Sequence, residues 1–119
     1  MPRKTAIIQR SVPFSGHNIA DAIDMLMALG NFELPAAIFF IDDGVFHLNP
    51  DIDTSDSNVK LPIKLLNSLK FYDIEDVYVC RESMNLRNIN INALPDFILI
   101  HENHELRPLM NRYDQIIQF

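Results

Sequence analysis

The chain has one thiol, Cys80, in the stretch DVYVCRESMN (76–85). It ends an apolar run and stands directly before a short helical pattern, where unpaired backbone N–H groups and the helix dipole favour a thiolate over a thiol. Arg81 adds positive charge beside it. A thiolate placed there would be the nucleophilic form of the residue. Cysteine is also among the most buried residue types, so the same position suits a small apolar packing role. With one cysteine no intrachain disulfide can form, and any relay through Cys80 needs a sulfur on another molecule.

The remaining reactive residue types make weaker patterns. His101 and His104 are three apart, a spacing that puts two imidazoles on one helix face, but no third ligand accompanies them and a solvated or capping role is expected instead of a metal site. His17 and His47 are isolated and read as polar residues at loop ends. Asp42 and Asp43 follow a buried strand, which they are expected to stop while capping the next turn. The acidic run DIDTSD (51–56) lacks the glycine and closing glutamate of a calcium loop, so it reads as solvated. Ser11, Ser15 and Gly16 precede a helix, loosely like a phosphate loop, yet neither GxGxxG nor GxxxxGK[ST] occurs. No nucleotide, other cofactor or metal is expected.

The elements that would position these residues alternate along the chain. TAIIQR (5–10) is a β-prone run, and Ile19, Ala22, Ile23, Leu26, Met27 and Leu29 then recur near a 3.6 period, predicting a helix that ends around Gly30-Asn31. PAAIFFI (35–41) is apolar at consecutive positions, the pattern of a strand covered on both faces. VFHL (45–48) suggests a helical turn, and the polar stretch 49–58 a loop. A helix over Val59–Lys70 follows, with Pro62 in its first turn, then a strand at 75–80 and a short helix at 81–87. DFILI (96–100) predicts a fourth strand, NHELRPLMNRY (103–113) a helix interrupted or started near Pro108, and DQIIQF (114–119) a fifth strand. This alternation predicts an α/β fold, a three-layer α/β/α arrangement around a five-stranded, mostly parallel sheet in one domain, 1–119. In such sheets ligands gather beyond the carboxyl ends of the strands, where RSVPFSGHN (10–18), DDGVFH (42–47), CRES (80–83) and HENH (101–104) would converge.

Composition limits the partners. The chain has 119 residues, 48% of them hydrophobic and 22% charged, the balance of a soluble globule with one core. A net charge of −6 argues against the basic surface that phosphate neutralisation requires, so no direct nucleic-acid binding is expected. No apolar run reaches the ~18 residues of a membrane span, and MPRKTAIIQR lacks the features of an export signal, so the expected location is cytoplasmic.

FFIDDGVFHL (39–48), LKFYDIEDVYVCRES (69–83) with Leu86-Arg87 after it, and the closing YDQIIQF (113–119) together resemble the TusC-type, DsrF-like subunits of the DsrE/DsrF/DsrH family. The resemblance spans essentially the whole chain, and the terminal YD-x-I-x-x-F pattern is its most specific part. It implies a heterohexamer, a dimer of trimers, formed with TusB-like and TusD-like subunits. It also implies a relay that takes persulfide sulfur from a TusA-like protein and passes it through a TusE-like protein toward 2-thiouridine at the wobble position of tRNA. In that family the D-type subunit carries the working cysteine at a strand end, with a Leu-Arg pair a few positions later. Cys80 with Leu86 and Arg87 occupies the matching place, which makes it a candidate persulfide carrier, although C-type subunits generally serve as structural partners. The family's usual RG after the short helix is Arg87-Asn88 here; asparagine tolerates the left-handed backbone that glycine favours. Phe14, Phe46, Phe71 and Phe119 are candidates for a partner surface. Three readings follow: an accessory sulfur-relay subunit, a DsrF-type component of a sulfur-oxidation complex with Cys80 as acceptor, and a flavodoxin-like domain holding a small anion on the Ser11–Asn18 loop.

Overall fold

The consecutive apolar runs become adjacent strands. In the computed structural model, which describes residues 3–10, 18–48 and 76–119, β1 (Thr5–Gln9), β2 (Ala36–Phe40), β3 (Val77–Cys80), β4 (Leu99–His101) and β5 (Gln115–Gln118) form one sheet. Its order is β4-β3-β2-β1-β5, and every neighbouring pair is parallel. The expected α/β sheet is therefore present, and entirely parallel. The expected Val59–Lys70 helix and the loop over 49–58 lie outside the described residues.

The strand order explains the two covered faces. Chain steps from β1 to β4 move one way across the sheet, whereas the step from β4 to β5 returns past three strands to pair with β1. Right-handed crossovers put helices from opposite directions of travel on opposite faces. Accordingly α1 (Asn18–Asn31) packs Ala22, Ile23 and Leu26 with Ile7, Ile38, Phe40, Val77 and Val79 on one face. The helix before β5, Asn103–Met110, packs Leu106 with Ala6, Ala37, Phe39 and Cys80 on the other. The short helix between them, Arg81–Leu86, is called α2, and Asn103–Met110 is α3.

Both α1 and α2 end in a Schellman arrangement. After α2, the Ile89 N–H donates to the Met84 carbonyl and the Asn88 N–H to that of Asn85, with Asn88 left-handed at φ 56°. Met84 and Ile89 bury in the same cluster, the apolar contact that accompanies this motif. After α1, Leu34 and Glu33 donate to Leu29 and Gly30, and the left-handed residue is Glu33 at φ 57°. The helix ends at Asn31, within the expected Gly30-Asn31, and this local ring of bonds closes it.

Two boundaries differ from expectation. DFILI does not enter the ladder at Asp96, because Pro95 accepts from the Ile98 N–H in a turn and only Leu99–His101 pair with β3. Pro108 lies inside α3 and does not start it, since a reciprocal capping box at Glu102 and Glu105 fixes the start six residues earlier.

Candidate functional site

The carboxyl ends of β1, β2 and β3 are tied together by polar groups that the local sequence puts there. After β2 the chain turns into a 3₁₀ helix, Asp42–Leu48, whose entry residue Asp42 is left-handed at φ 49°. Arg10, one residue past β1, donates from Nη2 and Nε to Asp42 Oδ2 at 2.7 and 3.1 Å. The Asp42 N–H donates to Ser83 Oγ at 2.9 Å, and the Ser83 carbonyl accepts from Arg87 Nη1 at 3.1 Å. Arg87 Nε reaches Asp43 Oδ1 at 3.0 Å, and its guanidinium lies 6.0 Å from the centre of the Phe46 ring. Asp42 and Asp43, expected to stop β2 and cap the next turn, stand in the first turn of the 3₁₀ helix, and their carboxylates reach sideways to Arg10 after β1 and Arg87 after α2.

Beneath this ring lies a buried polar pair. His47, expected at a loop end, is buried, with Nε2 3.3 Å from the Gln9 amide nitrogen. With that amide as donor, the ring nitrogen is the acceptor. Gly44 permits the approach, since a Cβ there would collide with the Gln9 carbonyl oxygen.

Cys80 closes β3 and is the N-cap residue of α2, without a side-chain capping bond. It is 2% exposed, inside the cluster of Ala6, Ala37, Phe39 and Leu106. Ile41, Tyr78, Leu109, Met110 and Tyr113 pack around that cluster. Phe39 stacks on Tyr78 at 4.7 Å and meets Tyr113 edge-on at 5.9 Å. Burial, then the charge of Asp76, raises the phenol pKa of both Tyr78 and Tyr113, so both stay neutral and hydrogen-bond each other.

His101 ends β4 and stacks obliquely near Tyr78, its Nδ1 3.8 Å from Glu105 Oε2. His104, in the first turn of α3, has Nδ1 3.4 Å from Glu102 Oε2. The two histidines do not share a ligand set: the grouped donor atoms are those of Glu102, His104 and Glu105, within 4.8 Å of one another and all exposed. Sequence spacing singled out the histidine pair and missed the carboxylates, whose signal was Glu-x-x-Glu at a helix start. Both carboxylates have a structural role, because Glu105 Oε1 accepts the Glu102 N–H at 2.9 Å in the capping box. That bond, followed by the nearby imidazoles, holds the Glu105 carboxyl below its ordinary range. From α2, both oxygens of Glu82 accept the Asn103 N–H, at 3.1 and 2.9 Å.

Of the phenylalanines expected at a partner surface, Phe46 and Phe119 are half-buried against the core, and Phe14 and Phe71 lie outside the described residues. Among the described residues, the large apolar side chains that face outward are Phe32 (77% exposed), Leu86 (80%), Leu99 and Ile116. Ser11, Ser15, Gly16 and His17 also lie outside the described residues. No described helix is long and apolar enough to cross a membrane.

An all-parallel five-stranded sheet with helices on both faces, a buried strand-end cysteine and a polar rim over β1–β3 defines an open α/β domain. Residues 3–119 match the DsrE/DsrF-like family, and the chain belongs to it. It is 32% identical over 117 residues to a Pseudomonas aeruginosa protein named as a TusC homolog, covering 98% of each chain. A TusC homolog of Pasteurella multocida is 37% identical over 83 residues, 68% of this chain and 70% of that one. The crystal structure of the ychN protein from E. coli superposes over 100% of both chains with a TM-score of 0.76 at 19% identity, a likeness of fold.

Proposed function

We propose that this chain is an accessory subunit of a sulfur-relay complex. Family membership and full-length similarity to TusC homologs support a sulfur-relay role, and the match over 98% of both chains is the observation that carries it. The finer reading is a single-domain, cytoplasmic C-type component that assembles with TusB-like and TusD-like subunits into a heterohexamer. That complex receives persulfide sulfur from a TusA-like protein and delivers it through a TusE-like protein toward wobble-uridine 2-thiolation of tRNA. Transfer needs little acid–base machinery, because one thiolate attacks the outer sulfur and another leaves. It needs docking, and a subunit contributes by shaping the groove in which cysteines meet. Burial of Cys80 at 2% exposure supports a packing role for it in this chain.

The test is the composition and mass of the native complex purified through this chain. B-type and D-type partners are expected, and a solitary particle refutes the reading. A second reading makes Cys80 a sulfur acceptor in a DsrF-type sulfur-oxidation complex; its place between β3 and α2 favours this. Cys80→Ser separates the two when persulfide transfer through the purified complex is measured directly: transfer unchanged in an intact complex supports the accessory role, and its loss there supports transfer through Cys80.

A further inference from the structure

We propose that α3 is a cover over Cys80, and that reagents reach the thiol when α3 undocks locally while the rest of the sheet stays folded. The proposal goes beyond the subunit reading and holds whether or not Cys80 accepts sulfur.

The sulfur-bearing residue lies on the face where α3 supplies Leu106 to the buried cluster and Leu109, Met110 and the following Tyr113 to its margin. That helix is thinly attached. Of its eight residues only Leu106 is buried, whereas α1 buries Ala22, Ile23 and Leu26. It follows β4, a three-residue strand at the sheet margin, and it contains Pro108, which has no N–H to give to the preceding turn. Its start is seated by exposed polar bonds: the Asn103 N–H to the Glu82 carboxylate and the Glu102–Glu105 box. Water can replace every one of those bonds. Few buried apolar contacts and solvent-reachable hydrogen bonds are the marks of a segment that opens at a lower free energy than the core. Glu82 stands two residues beyond Cys80, so the bond that seats α3 springs from the helix that the thiol begins. Undocking α3 breaks that bond and removes Leu106 together.

The test uses the full-length chain as it purifies. Cys80 is its one thiol, so an aromatic disulfide reagent reports a single site. The thiolate attacks one sulfur, giving a mixed disulfide and one aromatic thiolate per chain, with the thiol proton passing to solvent. Protection of Cys80 against the reagent is compared with the hydrogen-exchange protection of backbone amides. Cys80 is expected to match the amides of Leu106, Arg107, Leu109 and Met110 in α3 and to be protected less than those of Ile7 and Ile38. Glu82→Ala is expected to speed Cys80 labelling and α3 amide exchange together by roughly 5–10-fold, leaving Ile7 and Ile38 unchanged. Cys80 protection equal to that of Ile7 and Ile38, or Glu82→Ala leaving labelling unchanged, overturns the proposal.

Discussion

Gly44 packs backbone to backbone against Gln9: a Cβ at position 44 would fall inside the van der Waals envelope of the Gln9 carbonyl oxygen. Since the obstacle is main chain in a central strand, it cannot swing aside as a side chain would. Gly44→Ala is therefore expected to lower stability by about 3 kcal/mol, near the upper end of ordinary overpacking costs. Urea unfolding followed by circular dichroism measures this, with the midpoint shifting at constant slope. A loss below about 0.5 kcal/mol, the range of an indifferent surface change, would mean the turn has room to move.

Glu33 carries the opposite opportunity. Its left-handed backbone costs about 1–2 kcal/mol, while glycine adds about 0.5–1 kcal/mol of unfolded-state freedom. Glu33→Gly is thus expected to stabilise the chain by about 0.5–1 kcal/mol. Asn88→Ala, at the equivalent point after α2, is expected to destabilise it by about 1 kcal/mol. Thermal melts of the two variants should move in opposite directions.

Those two positions also show what could be read before the fold was known. Asn88 was legible through the family resemblance, because it stands where the family usually has glycine and asparagine tolerates the same left-handed backbone. Glu33 was not, since glutamate carries no such signal and the turn shows only in the bonds from Glu33 and Leu34 back to Gly30 and Leu29. The β1, β2 and β3 runs were legible because consecutive apolar residues fit a strand covered twice. β4 was read three residues early, because Phe97 and Ile98 are apolar for packing from a turn and not for pairing. At the site, Cys80 was found by type and place. The Gln9–His47 pair and the Arg10–Asp42–Ser83–Arg87–Asp43 ring were not, because each joins strands that only the parallel sheet order makes neighbours.

Acid should loosen the start of α3. The Glu105 carboxyl has a lowered pKa in the fold, chiefly from the Glu102 N–H, so its contribution is present above the unfolded value of about 4.3 and is lost as pH falls through the folded value. Exchange of the Glu102 amide is expected to accelerate beyond its intrinsic pH dependence from about pH 4.3 downward. Glu105→Gln should abolish that extra acceleration; its persistence in the variant would assign it to another group.

Alkali acts on the opposite face of the same logic. Burial raises the phenols of Tyr78 and Tyr113, so their contribution is present below about pH 10, the free tyrosine value, and is lost as pH rises through the folded values. Phenolate absorbance from this pair should appear later than in the urea-unfolded chain. Tyr113→Phe should remove the highest step, and a titration identical in folded and unfolded protein would contradict the burial.

Cys80→Ala is expected to cost about 1 kcal/mol for the lost sulfur contacts, and Cys80→Ser more, because a hydroxyl in that apolar cluster costs about 1–3 kcal/mol without a partner. Chemical denaturation of both variants orders them. Serine proving as stable as wild type would indicate a hydrogen-bonding environment around position 80.

The pairing of β5 with β1 has a consequence for biosynthesis. Thr5 lies against Gln115, and the Lys4 amide donates to Asp114 across 110 positions of chain. A nascent polypeptide leaving the ribosome can lay down β1 to β4 in turn, yet one flank of β1, interior in the finished sheet, stays bare until β5 emerges. During that interval the open flank is a stretch of backbone on which a chaperone, or a sister protein made alongside, can act.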